Sequence, residues 1–190
     1  MKKSALLLLC IMYFVNLDTF AQKSGSLPWV FSAKLSATEY ANHGTLSPGG
    51  QIGMMASKNL LIGLDGNLML PFIKIRDVVA DNEATVYSAY GGVLLEPIIN
   101  PNRVLHVSFP VVLGGGLIGY VWDNSDATET DFHLAITPGI SLNYMLSSNL
   151  RFATTYSYRY ARKISLPNAA ENAFDGHNIS LVLRIGRFRI

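Results

Sequence analysis

Apolar and polar side chains alternate one for one along most of this chain, in eight separate bursts. From Trp29, WVFSAKLSATEYA sets Phe31, Ala33, Leu35 and Ala37 on one face and Ser32, Lys34, Ser36 and Thr38 on the other. A period of two predicts a strand, because successive side chains of an extended backbone point to opposite sides. Residues 51–57 repeat the pattern with Ile52, Met54 and Ala56. In LLIGLDGNLML (60–70), Leu60, Ile62, Leu64, Leu68 and Leu70 oppose Gly63, Asp65 and Asn67. A fourth burst covers 85–96, with Tyr87, Ala89, Val93 and Leu95 opposite Ser88, Tyr90, Gly92 and Glu96. The sixth, FHLAITPGISLNY, sets Phe132, Leu134, Ile136, Ile140 and Leu142 against His133, Thr137, Ser141 and Asn143. The seventh, LRFATTYSYRYAR, opposes Leu150, Phe152, Tyr156, Tyr158 and Tyr160 to Arg151, Thr155, Ser157 and Arg159. The eighth, HNISLVLRIG, opposes Ile179, Leu181, Leu183 and Ile185 to Asn178, Ser180 and Arg184.

The fifth burst, RVLHVSFPVVLGGGLIGYVW (103–122), is long and weakly charged enough to invite a membrane-helix reading. Pro110, three consecutive glycines (114–116) and many β-branched residues exclude that helix. Leu105, Val107, Phe109, Val111 and Leu113 share one face, while His106, Ser108 and Pro110 share the other, so the segment is a strand. The glycines predict a bend or close packing, and Pro110 and Pro138, which each remove a ladder donor, predict bulges or strand irregularity.

Between the strands, the connections alternate in length. HGTLSPGG (43–50) reads as a loop by its glycines and proline. Tight turns are expected at 57–59, at Asn100-Pro101-Asn102 and at 146–149, and longer loops at 71–84, 123–131 and 164–176. Eight strands joined by alternating long and short connections form a closed antiparallel up-and-down barrel of the transmembrane kind. Closure leaves no backbone edge for lipid to strand unpaired.

Composition narrows the setting. Charged residues make up only 15% of the chain, against about 25% in a typical soluble domain. Lys2 and Lys3 precede the apolar run ALLLLCIMYFV, and Thr19-Phe20-Ala21 offers a cleavage site, so residues 1–21 read as a signal peptide and 22–190 as a single barrel domain. Cys10, the only cysteine, would leave with that peptide, and disulfide or thiol chemistry with it. Losing Lys2, Lys3 and Asp18 takes the formal charge from +2 to +1, with no basic excess for nucleic acid.

With its signal peptide, eight alternating strands and low charge, the chain resembles the small outer-membrane β-barrel proteins of Gram-negative bacteria. These are the OmpA-transmembrane-domain and OmpX type, and VLLEPII and LHVSFPVVLGGG resemble a subgroup of them. The resemblance covers nearly the whole mature chain. It implies an outer-membrane location, a monomer surrounded by lipid, and partners, if any, at the external loops 71–84, 123–131 and 164–176. Such barrels commonly end on an aromatic residue. This chain ends Arg187-Phe188-Arg189-Ile190, with Phe188 as the stand-in.

Alternation alone also fits a soluble barrel with an apolar interior. Two features favour the membrane. The minority face carries Lys34, Asp65, Glu96, His106, Arg151, Arg159 and Arg184, both signs together, which can pair inside a narrow barrel. Tyr144, Tyr156, Tyr158, Tyr160, Phe109, Phe132, Phe152 and Trp122 lie on the outward face or near strand ends, as aromatic girdles do.

Candidate chemistry is sparse. A turn centred on Pro101 would oppose Glu96 and His106 across the hairpin, with Ser108 two residues on, a nominal Glu-His-Ser set. The lipid A deacylase barrels use those residue types in a site that faces lipid. Here all three point inward near a periplasmic turn, so a polar plug is expected and catalysis is not. Asp123, Asp126, Glu129 and Asp131 could offer oxygen ligands to calcium, but they lack the spacing of a calcium loop. His43, His133 and His177 do not cluster in sequence. No cofactor fingerprint is present. The expectation is a non-enzymatic barrel with a structural or surface-interaction role, the alternatives being a lipid-modifying barrel or a narrow solute channel.

Overall fold

The computed structural model describes residues 29–40, 43–69, 84–122, 128–162 and 175–188. These form β1 (Trp29–Tyr40), β2 (His43–Ser57), β3 (Leu60–Met69), β4 (Ala84–Ile99), β5 (Leu105–Ser108), β6 (Val111–Trp122), β7 (Thr128–Met145), β8 (Leu150–Arg162) and β9 (Gly176–Gly186). Neighbouring strands pair antiparallel in chain order, except that β5 and β6 each pair with β4 and β7 and not with each other, and β9 returns to β1 through Val30–Gly186 to Thr38–Asn178. The sheet is closed. β5 and β6 are two pieces of one stave, so the nine strands make eight staves, as the alternation predicts.

The break between β5 and β6 falls at Phe109-Pro110. Pro110 brings no N–H, yet its carbonyl accepts from Gly139 (2.8 Å) and Phe109 donates to the Pro97 carbonyl (2.9 Å). Ile98–Ser108 below the break and Leu95–Val111 above it keep one register. Pro110 therefore interrupts the ladder as a strand irregularity, with no bulge. The β7–β8 ladder likewise skips Thr137 and Pro138 while its register runs through. The register shift that does occur lies between Met55 and Ser57.

One connection differs from expectation. Residues 43–50 are not a loop: they form the outer half of β2, paired with β1 as far as Tyr40–His43. Their glycines and Pro48 hide an alternation in which Thr45 and Ser47 are buried and Leu46 is exposed. The acidic segment is also shorter than expected. β7 begins at Thr128, so Glu129 and Asp131 are strand residues, as are Ala84 in β4 and Gly176 in β9. The remainder of loops 71–84, 123–131 and 164–176, and residues 1–28, lie outside the described residues apart from Asp175.

The two faces are inverted relative to a soluble protein. Phe31, Leu35, Leu64, Leu68, Leu117, Phe132, Leu181 and Ile185 point outward and are exposed, whereas Asp65, Glu96, Arg151, Arg159 and Arg184 are buried inside. Hydrocarbon accepts the first set and rejects the second, so burial here is set by a bilayer around the barrel. One part of the lumen is apolar too. Val30, Met55, Leu61, Leu94, Ile98 and Val112 cluster there with Phe188. Phe188, 5% exposed, thus turns into the barrel instead of joining the outer face, so it is not an outward terminal aromatic.

The outward register carries a direct prediction. Leu64, 58% exposed near the middle of β3, should cost about 2–4 kcal/mol when replaced by arginine, by the depth-dependent penalty for a cation facing lipid. Reversible urea unfolding in lipid vesicles checks it, and a change below about 1 kcal/mol would mean that Leu64 does not face the bilayer core.

Candidate functional site

Glu96, Ser108 and Arg184 meet in the lumen, although only Glu96 and Ser108 come from neighbouring staves. β4 brings Glu96, β5 brings Ser108, and β9 brings Arg184 from across the barrel. Arg184 Nη1 donates to Glu96 Oε1 at 2.7 Å and Ser108 Oγ donates to the same oxygen at 2.6 Å. Asn143 Nδ2 on β7 donates to Ser108 Oγ at 2.8 Å, and the Ser141 and Thr155 hydroxyls lie 2.8 Å apart. Glu96 and Ser108 are fully buried and Arg184 is nearly so. A charge so placed is tolerable only because it is paired and hydrogen-bonded.

His106 does not complete a triad. The register set by Leu95–Val111 and Ile98–Ser108 places Glu96 opposite Pro110, not His106. The turn runs further than one centred on Pro101, with Asn100 at φ 52 and Arg103 N donating to the Asn100 carbonyl. His106 therefore sits nearer the floor. Its Nδ1 lies 3.0 Å from the Arg103 carbonyl, which requires Nδ1–H to be the donor. His106 Nε2 and Glu96 Oε2 are buried without a hydrogen-bond partner among the described residues. Ser108 gives its proton directly to a carboxylate that an arginine already neutralises. That arrangement fixes side chains and does not activate a nucleophile.

A second ion pair lies on the other wall. Lys34 Nζ is 2.8 and 2.6 Å from the two oxygens of Asp65, and Gln51 Nε2 (2.8 Å) and Asn67 Nδ2 (2.5 Å) also donate to that carboxylate. Four hydrogen bonds from three donor groups occupy the two oxygens of Asp65. Elsewhere in the lumen, Ser36 bonds Ser180 at 2.8 Å and Thr38 donates to Asn178. Arg159 donates to the Glu39 carbonyl at 3.1 Å. Arg151 reaches the Pro101 carbonyl at 3.4 Å, and its guanidinium lies 3.9 Å from the centre of the Phe188 ring. Among the described residues, no three His, Cys, Asp or Glu side chains form a metal-binding group.

The inward positions of Glu96, Ser108 and Arg184 follow from alternation. The meeting of Arg184 with Glu96 does not, because it spans the barrel between strands that share no hydrogen bond. The one available clue was the mixture of charge signs on the inner face. The outward aromatics also sort as expected: Tyr156 and Tyr160 are exposed, Tyr156 OH bonds His177 Nδ1 at 2.7 Å, and the Tyr158 ring meets His177 edge-on at 4.9 Å.

No protein-family model and no curated protein sequence matches the chain. Solved structures do. Neisserial surface protein A matches with a TM-score of 0.57 and 14% identity, over 86% of this chain and 99% of that one. A major outer membrane protein of Thermus thermophilus matches with 0.52 and 12%, over 83% and 98%. The attachment invasion locus protein Ail of Yersinia pestis, in complex with the heparin analogue sucrose octasulfate, matches with 0.51 and 10%, over 84% and 95%. The chain has the fold of the small eight-stranded outer-membrane β-barrels.

Proposed function

We propose that the protein is an integral outer-membrane barrel that works at the cell surface through its external connections, as neither a solute channel nor a catalyst. The observation that carries this is the occupied lumen. The Glu96–Arg184 pair crosses it, Lys34–Asp65 fills another wall, and Phe188 packs with the apolar cluster. An interior bound to itself leaves the outer rim as the surface for recognition.

The rim sequences suggest the partner's charge. Segments 71–84, 123–131 and 164–176 hold Lys74 and Arg76 against Asp77, Asp81, Glu83, Asp123, Asp126, Glu129, Asp131, Glu171 and Asp175. A rim with that acidic surplus favours a basic partner and repels a polyanion. Ail, of the same fold, was solved with a sulfated ligand, so this rim points to the opposite preference.

Fractionation and gel mobility test the placement: the folded species should run in the outer-membrane fraction and shift in mobility on boiling. Intact cells should retain a polylysine probe and not heparin, with retention falling several-fold when Asp123 and Asp126 become asparagine. Planar bilayers should show no discrete conductance. Steady single-channel steps would replace this reading with the channel.

A further inference from the structure

The outer wall is not evenly padded. Gly50 of β2, Gly66 of β3, Gly91 of β4 and Gly115 of β6 are successive cross-strand partners, and all four point outward. Larger outward residues flank the row on either side, such as Leu68 and Leu117 toward the outer rim and Leu64 and Val93 toward the floor. The missing side chains leave an open trough of ≈ 830 Å³. Outward residues on one strand lie about 7 Å apart and strands about 4.8 Å apart, so the open trough is one side chain wide and about 10 Å long from Gly50 to Gly91, and the Phe132 ring closes it over Gly115.

Barrel packing explains only part of this row. A Cβ on Gly91 would come 2.7 Å from the Asp65 carbonyl oxygen, and one on Gly115 would come 2.6 Å from Cζ of the Phe132 ring. Those two glycines are required by their neighbours. Gly66 is not, since a Cβ there meets nothing within 4 Å, and at Gly50 the nearest atom is the Ser32 carbonyl oxygen at 3.2 Å. An interior glycine weakens a strand, so the space outside Gly66 is what its absent side chain supplies.

The row also leads somewhere. Gly115 pairs with Leu134, and Leu134 with Arg162. Gly66 is six residues above the inner end of β3, Gly91 eight above that of β4, Gly115 ten above Leu105, Leu134 eleven below Met145 in sequence, and Arg162 twelve beyond Leu150. The line therefore climbs toward the outer rim as it crosses the strands, and it ends on a cation about 14 Å beyond Gly91. The Arg162 side chain is 60% exposed. Its contacts to Asp175 (3.2 and 3.3 Å) and to the Ala161 carbonyl (2.7 Å) all use Nη1.

We propose that this wall is a lipid site, with an acyl chain seated in the glycine trough and a phosphate of the same outer-leaflet glycolipid at Arg162. The apolar trough suits a chain, the climb matches a lipid whose headgroup lies outermost, and the guanidinium offers the fork geometry that binds phosphate. The occupant is the outer-leaflet glycolipid because the line ends at the outer rim. The site needs the barrel to lie in the outer membrane but does not depend on the external loops, and membrane fractionation tests that placement separately.

Native mass spectrometry of the full chain from detergent, titrated with a diphosphorylated six-chain glycolipid, provides the test. Gly66→Leu places a side chain in the trough from a position whose Cβ meets nothing within 4 Å, and Arg162→Gln removes the charge. Each should weaken binding about tenfold, and removing the glycolipid's phosphates should abolish the effect of Arg162→Gln only. If Gly66→Leu fails to show the folded mobility, Gly66→Ala replaces it, with a smaller loss in the same direction. Unchanged affinity in the folded trough variants overturns the trough. Equal binding of phosphatidylglycerol overturns the glycolipid, and a dimer released by Gly66→Leu identifies a second copy of the chain as the occupant instead.

Discussion

Glu96→Ala should destabilise the barrel by about 3–5 kcal/mol, the usual result of removing one partner from a buried ion pair. The cost is high because of what remains. Arg184 is the direct cross-strand neighbour of Arg151, and both are 2% exposed. Without Glu96, two guanidinium groups face each other in the lumen, and Ser108 loses its acceptor. The double variant Glu96→Leu, Arg184→Met should recover most of the loss, since a buried pair and an apolar pair of similar size are often close in energy. Urea unfolding in detergent, read by gel mobility, gives all three values. A single-variant cost under about 1 kcal/mol would show that water, and not Glu96, balances the arginines.

Gly114→Val should be worse tolerated than any outward glycine substitution. Gly92 and Gly114 face each other across β4 and β6 on the inner side. A Cβ on Gly114 would lie 2.5 Å from Gly92 Cα, and one on Gly92 would lie 2.7 Å from Gly114 Cα. These obstacles are backbone, which cannot rotate away as a side chain can. Overpacking a core by a few methylenes costs about 1–3 kcal/mol and more where nothing yields, so the folded mobility band should be lost or much reduced. Gly66→Val is the control: it adds the same side chain to open space and should fold. If the two behaved alike, the close approach of β4 and β6 would not be what selects glycine at 114.

These contrasts locate what alternation can reveal. Which way Lys34, Glu96, Arg151 or Leu181 points follows from parity along one strand, and the number of staves follows from counting bursts. Register is a relation between strands, and one wrong turn length moved His106 away from Glu96. The extra residues between Asn100 and Leu105 shift the pairing, and no local pattern marks them. Residues 43–50 misled for a related reason. Gly44, Pro48, Gly49 and Gly50 carry turn chemistry in sequence, whereas Thr45, Leu46 and Ser47 between them obey the strand. In an isolated hairpin the glycines and proline would dominate. Here β1 supplies a full ladder of partners, and tertiary pairing overrides local preference. Contacts across the lumen are hidden more deeply, because Arg184 and Glu96 are 88 residues apart and belong to strands that never pair.

The position of Phe188 bears on the order of events during assembly. Its ring packs in one cluster with Val30, so the last described residues of the chain rest against the first strand. A contact at that sequence separation pays nearly the full loop-closure entropy before it yields anything. It cannot precede the meeting of β1 with β9. The apolar floor of the barrel is thus a late product, completed only after the wall has joined.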